Sequence, residues 1–269
     1  ENFTTYEEGN EDGRFFFVRN VEEDNKTITI NVPKEIAGQE FTFKSTINAK
    51  ETRMFPINFK IPGTNLRINY STSEVLLSNK YEKGFVFVMC GKTETSGEMV
   101  INTKRENISV IAGDVLVHES GNGSLLQYKH CGINILKINN VYLFIIEENM
   151  TGRLEELKSG LLFHNTYYLQ DIKESDEKIE LNLQIKENTK DYVEFFPLAE
   201  NKVLCSAKID GQKISMEQDD TGMYKSTFDV GSFLDKPEAI WTSNWRYIAD
   251  SYEIAQDYDY SRWRRVDKP

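Results

Sequence analysis

The most informative hydrophobic pattern in the chain is the run from Phe85 to Cys90, which contains no polar position. Its aromatic and β-branched residues, bounded by Gly84 and Gly91, are typical of a strand. A strand that is exposed on one face alternates apolar and polar residues, whereas a strand covered on both faces does not. The run therefore predicts an interior strand. One face would carry Phe85, Phe87 and Met89, and the other would carry Val86, Val88 and Cys90.

Short strand-like segments recur before and after this run. Turn signals such as Pro62-Gly63, Asn139-Asn140 and Asp210-Gly211 separate them. Many short strands at such spacing are typical of β-sandwiches. The sequence predicts an all-β fold with two antiparallel β-sandwich domains and one short helix at their boundary.

One segment, from Thr151 to Lys158, has the pattern of that helix. Leu154, Leu157 and Leu161 fall at helical spacing, and Thr151 is a suitable cap. We therefore expect the domain boundary near residue 160. The predicted divisions are a lead-in at 1–14, a large sandwich at 15–160, a small sandwich at 161–234 and an aromatic-rich linker at 235–269.

Composition and charge exclude several classes of partner. The 269 residues are 39% hydrophobic and 28% charged, which is typical of a globular protein. The net charge of −11 argues against nucleic acid, because affinity for phosphates comes mainly from Lys and Arg. No apolar run approaches the roughly 18 residues of a membrane helix, so no membrane is predicted as a partner. No glycine-rich phosphate loop is present, and we predict no cofactor.

The candidate reactive residues form no recognisable catalytic or metal motif. Cys90, Cys131 and Cys205 lack C-x-x-C spacing; Cys90 and Cys131 are expected to be buried thiols, with a bridge between them as the alternative. His118 and His130 lack the paired spacing of zinc ligands. We therefore predict no catalytic residue and no metal ligand.

Three segments of the chain resemble a known family. Tyr70-Ser71-Thr72-Ser73-Glu74-Val75, followed by a turn and the strand at 85–91, is similar to the β-domain after the catalytic barrel of family 35 β-galactosidases. Phe15–Asn20 resembles a further strand of that domain, and Tyr258–Trp263 resembles the entry to the jelly-roll domains that follow. The strand–helix alternation of a barrel is absent, so none of the family's catalytic residues is carried over.

The resemblance implies a non-catalytic structural region of a β-galactosidase, an enzyme that hydrolyses terminal β-D-galactosyl residues. The expected partners are the catalytic barrel, which is missing from this chain and which the region would brace, and jelly-roll domains of the same longer polypeptide. On this hypothesis the chain alone is inactive.

Two other hypotheses stay open. Trp241, Trp245 and Trp263 lie close together near the C-terminus. Such rings stack on sugars in many binding modules, so an independent carbohydrate-binding module with galactosides as ligands is the alternative function. Such rings more often pack a linker against neighbouring domains, where aromatic residues dominate the energetics. A self-contained enzyme with an unrecognised site is the third hypothesis.

Overall fold

The structure is a computed structural model. It describes residues 3–10, 13–34, 40–121, 123–165, 168–175, 178–184, 190–200, 204–209, 211–229, 246–247 and 264–265. The fold is all-β, as predicted, and consists of sheets stacked in layers with an apolar core between each neighbouring pair.

The largest layer is a seven-stranded sheet, called the outer sheet. A two-stranded hairpin, the cover hairpin, packs on part of its outer face. In spatial order the outer sheet contains β1 (Phe3–Asn10), β2 (Gly13–Asn20), β5 (Thr52–Lys60), β6 (Arg67–Ser71), β9 (Ser96–Ile101), β12 (Gly123–Lys129) and β11 (Val115–Ser120). The cover hairpin pairs β3 (Lys26–Val32) with β4 (Phe41–Ile47).

The next layer is a five-stranded central sheet, which packs on the inner face of the outer sheet. Its order is β10 (Ile108–Ala112), β13 (Ile133–Ile138), β14 (Val141–Glu147), β8 (Gly84–Gly91) and β7 (Glu74–Tyr81). A short 3-10 helix, η1 (Arg105–Asn107), precedes β10. The pairs are antiparallel except β14 with β8, which run parallel in the middle of the sheet.

Two further layers complete the stack. The third sheet contains β15 (Leu154–Leu157), β16 (Gly160–His164), β19 (Lys190–Pro197), β23 (Tyr224–Asp229) and β22 (Glu217–Gln218). The fourth sheet contains β17 (Tyr168–Glu174), β18 (Lys178–Gln184), β20 (Leu204–Ile209) and β21 (Gln212–Ile214). A separate pair joins β24 (Arg246–Tyr247) to β25 (Arg264–Arg265).

Four apolar clusters hold these layers together. One lies between the cover hairpin and the outer sheet, one between the outer and central sheets, one between the central and third sheets, and one between the third and fourth sheets. Hydrophobic burial at each interface, at roughly 25 cal/mol per Å², is the main favourable term in folding such a stack. The central sheet is therefore covered on both faces.

The predicted interior strand is confirmed as β8. Phe87 and Met89 are fully buried against the outer sheet, with the half-buried Phe85 packed beside them. Val86, Val88 and Cys90 lie in the cluster shared with the third sheet. Each face of β8 thus packs on an apolar core, as the run without polar positions predicts.

Two bulges reverse the side-chain alternation where the chain changes sheets. The pairing of β6 with β9 shifts between Ile68 and Tyr70, so Ile68 packs inward and Tyr70 packs under the cover hairpin. The pairing of β7 with β8 shifts between Val75 and Leu77, which likewise face opposite cores. A bulge adds one residue to one strand and thereby re-aims the residues around it.

The short helix connects the central sheet to the third sheet. Its position differs from the predicted 151–158. It is a 3-10 helix, η2 (Glu148–Arg153), and the residues after it form strand β15. Leu154 packs toward the central sheet and Leu157 toward the fourth. Residues three apart point to opposite faces of a strand. Because both faces of the third sheet are covered, a leucine on either face finds an apolar core. The leucine spacing therefore fits a doubly covered strand as well as a helix.

Two smaller expectations also differ. Phe3–Asn10, in the segment expected as a loose lead-in, forms β1 and pairs with β2 along its whole length. Cys90 and Cys131 are free thiols, which excludes the bridge between them, and Cys131 is exposed because it lies in the bend between β12 and β13. The domain limits given above stay predictions.

Candidate functional site

The chain crosses from the outer sheet to the central sheet at Thr72 and Ser73, between β6 and β7. Ser71 and Ser73 are fully buried there, and Thr72 is 8% exposed. A buried hydroxyl destabilises the fold unless it is hydrogen-bonded. We call this crossing, with the side chains that bind it, the polar corner.

Ser73 connects the polar corner to strand β12 and the residue that follows it. Its Oγ lies 2.8 Å from the Tyr128 hydroxyl and 2.7 Å from Nε2 of His130. On the other side of the ring, Nδ1 of His130 lies 3.0 Å from the Thr95 hydroxyl. Both ring nitrogens of His130 are thus used inside the protein.

Two glycines make room for the His130 ring. A Cβ atom on Gly91 would lie 2.1 Å from His130 Nε2, and one on Gly97 would lie 2.3 Å from the Tyr128 ring. Burial, with a smaller effect of nearby Arg53, lowers the pKa of His130 to about 4. Burial raises the pKa of Tyr128 to about 12. Both side chains are therefore neutral near pH 7 and act here as hydrogen-bonding groups.

Glu74 and Arg53 form the charged part of the polar corner. Arg53 is 5% exposed, and its Nη1 lies 3.3 Å from Glu51, 3.4 Å from Glu74 and 3.9 Å from Glu148. Glu74 also accepts a hydrogen bond of 2.6 Å from the backbone N–H of Met54. Burial raises the pKa of Glu74, and the attraction of Arg53 partly offsets that effect. The cluster links the outer sheet, the central sheet and η2.

An open groove lies beside the polar corner, where the cover hairpin leaves the outer face of the outer sheet uncovered. It comprises two adjoining clefts of about 460 and 280 Å³, which share Lys44, Thr72 and Ser96. We call the larger cleft the mixed end and the smaller cleft the basic end. The mixed end is also lined by Gly97, Glu98, Asp114, Leu116, Gln127, Tyr128 and Lys129. The basic end is also lined by Thr27, Ser45, Thr46, Arg53, Lys92, Thr95 and His130.

Hydrogen bonds to the polar corner fix Glu98 at the floor of the groove. The Tyr70 hydroxyl donates to Glu98 Oε1 at 2.9 Å, and Thr72 Oγ1 accepts from the Glu98 backbone N–H at 2.8 Å. Burial, followed by the charge of Glu98, raises the pKa of Tyr70. The groove therefore has a preformed floor, as small-molecule sites usually have.

Comparison with protein families places most of these residues in a known family. The model of the family described as "Beta-galactosidase, domain 2" matches residues 2–152, which is more than half of the chain. The chain belongs to the β-galactosidase domain 2 family. No curated protein matches the chain. The match covers the cover hairpin, the outer sheet and the central sheet, and it ends within η2.

Membership of the domain 2 family agrees with the resemblance in the sequence. This domain is a non-catalytic part of a multidomain β-galactosidase, so other domains of the same polypeptide are among its partners. The segment from Tyr70 to Glu74, which carried the resemblance, supplies the polar corner. Four of its side chains make the hydrogen bonds or the ion pair described above, and the fifth, the Ser71 hydroxyl, accepts a hydrogen bond of 2.9 Å from the backbone N–H of Ser73.

The structure separates the other residues that the sequence singled out. His118 is exposed on β11, His130 is buried in the polar corner, and the Cys131 thiol lies on the surface 3.6 Å from Glu94. Within the described residues no group of three or more His, Cys, Asp or Glu side chains could hold a metal ion. Trp241, Trp245 and Trp263 lie outside the described residues.

Among the described residues, no helix is both long enough and apolar enough to cross a membrane.

The groove was not predicted from the sequence. Its charged residues come from strands and loops far apart in the chain, and Lys44, Lys92 and Lys129 each look like an ordinary solvated position. The available signal was the polar segment Tyr70–Glu74, because several adjacent hydroxyls between two apolar strands require buried partners.

Proposed function

We propose that this chain braces the catalytic barrel of a β-galactosidase and spaces the domains that follow, without taking part in catalysis itself. The observation that supports this role is the core between the central and third sheets. Val86, Val88 and Phe144 of the central sheet pack there with Phe163 and Phe196 of the third sheet. Phe144 lies 5.2 Å from Phe196 and 6.0 Å from Phe163 between ring centroids.

Backbone hydrogen bonds add to this apolar contact. Lys83 donates from its backbone N–H to the Leu198 carbonyl at 3.1 Å, and from Nζ to the Pro197 carbonyl at 3.2 Å. The backbone N–H of Glu200 donates to the Glu82 carboxylate at 2.8 Å. Domains joined by small polar interfaces usually move relative to each other, whereas a large apolar interface holds them in one orientation. A fixed orientation is what a brace needs.

The bracing role predicts a coupling between this region and the activity of the parent enzyme. In the polypeptide that carries both the barrel and this chain, Phe163→Ala should weaken the third sheet, because a buried Phe→Ala change costs about 3–5 kcal/mol. The temperature at which activity on a β-galactoside is half lost should then fall by several degrees. Lys173→Gln, at a side chain that is 68% exposed, is the matched control. The bracing role would be contradicted if Phe163→Ala weakens the third sheet but the variant and the wild type lose activity at the same temperature.

A direct assay tests the non-catalytic role. Purified chain incubated with a chromogenic β-galactoside should show no turnover above the buffer blank, because catalysis needs two carboxylates fixed at a set separation. Turnover that stays with the chain through successive purification steps would support the self-contained enzyme instead.

The carbohydrate-binding module remains a separate hypothesis about Trp241, Trp245 and Trp263. Galactose titrated into the chain, with tryptophan fluorescence as the readout, distinguishes it from the bracing role. A saturable change that Trp245→Ala removes would favour the module, and no change would favour the brace.

A further inference from the structure

The basic end of the groove is unusual in a chain with a net charge of −11. Lys44, Arg53 and Lys92 line it, and no carboxylate is among its lining residues. Most of its other lining residues carry hydroxyl groups. Positive charges gathered with hydrogen-bond donors form a suitable environment for a small oxyanion.

We propose that the groove binds an anionic monosaccharide, with a sulfate or phosphate ester group at the basic end and the sugar ring at the mixed end. This binding would be additional to the bracing role and does not depend on it.

Two lysines provide positive charge that the protein does not neutralise. Lys44 is exposed, and its ammonium group has no hydrogen bond or ion pair among the described residues. Lys92 Nζ donates to the neutral side chain of Asn48 at 2.5 Å, which leaves its charge uncompensated. Charge-assisted hydrogen bonds are about twice as strong as neutral ones, so these two ammonium groups would dominate the binding of an ester group.

Arg53 contributes in a different way. The carboxylates of Glu51 and Glu74 already balance its charge through Nη1. Its Nε, however, is buried and has no hydrogen-bond partner in the described part of the structure. A buried donor without an acceptor costs about 1–3 kcal/mol by itself, so this guanidinium, which lines the basic end, keeps hydrogen-bonding capacity that the protein does not use.

Hydroxyl groups provide the remaining donors at the basic end. The side-chain hydroxyls of Ser45 and Ser96 have no hydrogen-bond partner among the described residues. Thr27 and Thr46 bond to each other at 3.0 Å, and each hydroxyl keeps further hydrogen-bonding capacity. Small hydroxyls around charged groups are suited to an ester oxygen that needs several short contacts.

The mixed end has the chemistry that a sugar ring requires. Its volume of about 460 Å³ is within the range for small-molecule sites. Glu98, Asp114 and Gln127 supply acceptors for sugar hydroxyls, and Leu116, 57% exposed, supplies an apolar surface for the carbon-bound hydrogens. Glu98 and Asp114 balance the charges of Lys44 and Lys129 there, so the mixed end has no excess positive charge for a second anionic group. The ligand is therefore a sugar with one ester group rather than a polyanion such as nucleic acid.

Calorimetric titration of the purified chain at low ionic strength tests the proposal with four probes: galactose 6-sulfate, galactose 6-phosphate, galactose and inorganic sulfate. At least one ester should bind at least about tenfold more tightly than galactose or inorganic sulfate, since only an ester uses both ends of the groove. Lys44→Gln and Lys92→Gln should each weaken ester binding by roughly five- to tenfold. Lys104→Gln is the control, because its side chain is 77% exposed and lies outside the groove.

The pH dependence separates the two ester types. A phosphate ester gains a proton near pH 6, so its binding should weaken below that pH, whereas binding of a sulfate ester should not change for that reason. Circular dichroism of each variant shows whether the fold is retained. The proposal is wrong if neither ester binds, if both lysine substitutions leave affinity unchanged, or if inorganic sulfate binds as tightly as the esters. A failure of any kind leaves the bracing role intact, because that role is tested on the longer polypeptide.

Discussion

The central sheet and the outer sheet differ in what covers their faces. The central sheet has an apolar core on each face, and β14 is buried from Val141 to Ile146 without a polar position. The outer sheet has an apolar core on its inner face, while its outer face is apolar under the cover hairpin and open as the groove elsewhere. A doubly covered sheet thus holds the stack together, whereas a partly covered sheet leaves polar groups exposed in the groove.

The two regions also differ in how they satisfy polar groups. Asn134 is the one buried polar side chain on β13, and its Nδ2 donates to the Lys129 carbonyl at 2.9 Å. The polar corner, by contrast, connects buried hydroxyls and His130 by hydrogen bonds and places the ion pair of Arg53 and Glu74 beside them. We therefore expect the central sheet to respond to changes in volume and the polar corner to respond to changes in charge and pH.

The largest effect is expected in the central sheet. Phe87→Ala should lower the free energy of unfolding by about 3–5 kcal/mol, because the fully buried ring would leave a cavity between two packed sheets. Urea denaturation followed by circular dichroism measures this loss. Leu116→Ala, at an exposed position of the outer sheet, should cost less than about 0.5 kcal/mol. A loss below about 1 kcal/mol for Phe87→Ala would mean that the central sheet is not tightly packed.

A smaller, pH-dependent effect is expected at the polar corner. Arg53→Met should cost about 2–4 kcal/mol at pH 7, because Glu74 would keep a buried charge without a partner. Burial raises the folded-state pKa of Glu74, so the stability contribution of this group is present at low pH and lost as pH rises. The cost of Arg53→Met should accordingly be smaller at pH 5 than at pH 7.

Urea denaturation at both pH values measures the difference. The exposed Lys104–Glu106 pair provides the control, since Lys104→Met should cost under about 0.5 kcal/mol at either pH. An Arg53→Met cost that is equally large at pH 5 and pH 7 would show that the Glu74 charge is not its cause.

The smallest of the three effects concerns His130. Its folded-state pKa of about 4 is below its ordinary value of 6.5, so the unfolded chain gains the proton first as pH falls. Wild-type stability should therefore decline by about 1–3 kcal/mol between pH 6.5 and pH 4 through this group alone. His130→Gln should flatten that part of the pH profile, whereas His118→Gln, at an exposed site, should not. Parallel profiles for wild type and His130→Gln would contradict the assignment.

Local pattern was enough to predict the interior strand of the central sheet but not the whole fold. The run from Phe85 to Cys90 excludes an exposed face, so both of its faces could be assigned before the structure was known. The same kind of pattern reasoning gave a wrong helix position at Leu154 and Leu157. In a strand with an apolar core on each face, residues three apart can each pack on a core, and this produces a helix-like spacing without a helix.

The groove could not be predicted, for a topological reason. Lys44 and Thr46 come from the cover hairpin, Lys92 follows β8, and Lys129 ends β12. Each is a polar residue at a position where ordinary exposure to solvent would be expected. Only the pairing of the outer sheet and the placement of the cover hairpin bring them together. The segment Tyr70–Glu74 was recognised as a family feature, but its hydrogen-bond partners lie 20 to 57 residues away in the chain.

Native-state hydrogen exchange in increasing urea tests most directly whether the central and third sheets share one core and unfold together. The amides to compare are those of β8 in the central sheet and those of β19 in the third sheet. If the shared core couples the two sheets, both sets should exchange with opening free energies that agree within about 1 kcal/mol and should converge on the value for global unfolding. Opening of β19 at a free energy several kcal/mol below that of β8 would show that the third sheet unfolds independently, and it could not then serve as a brace.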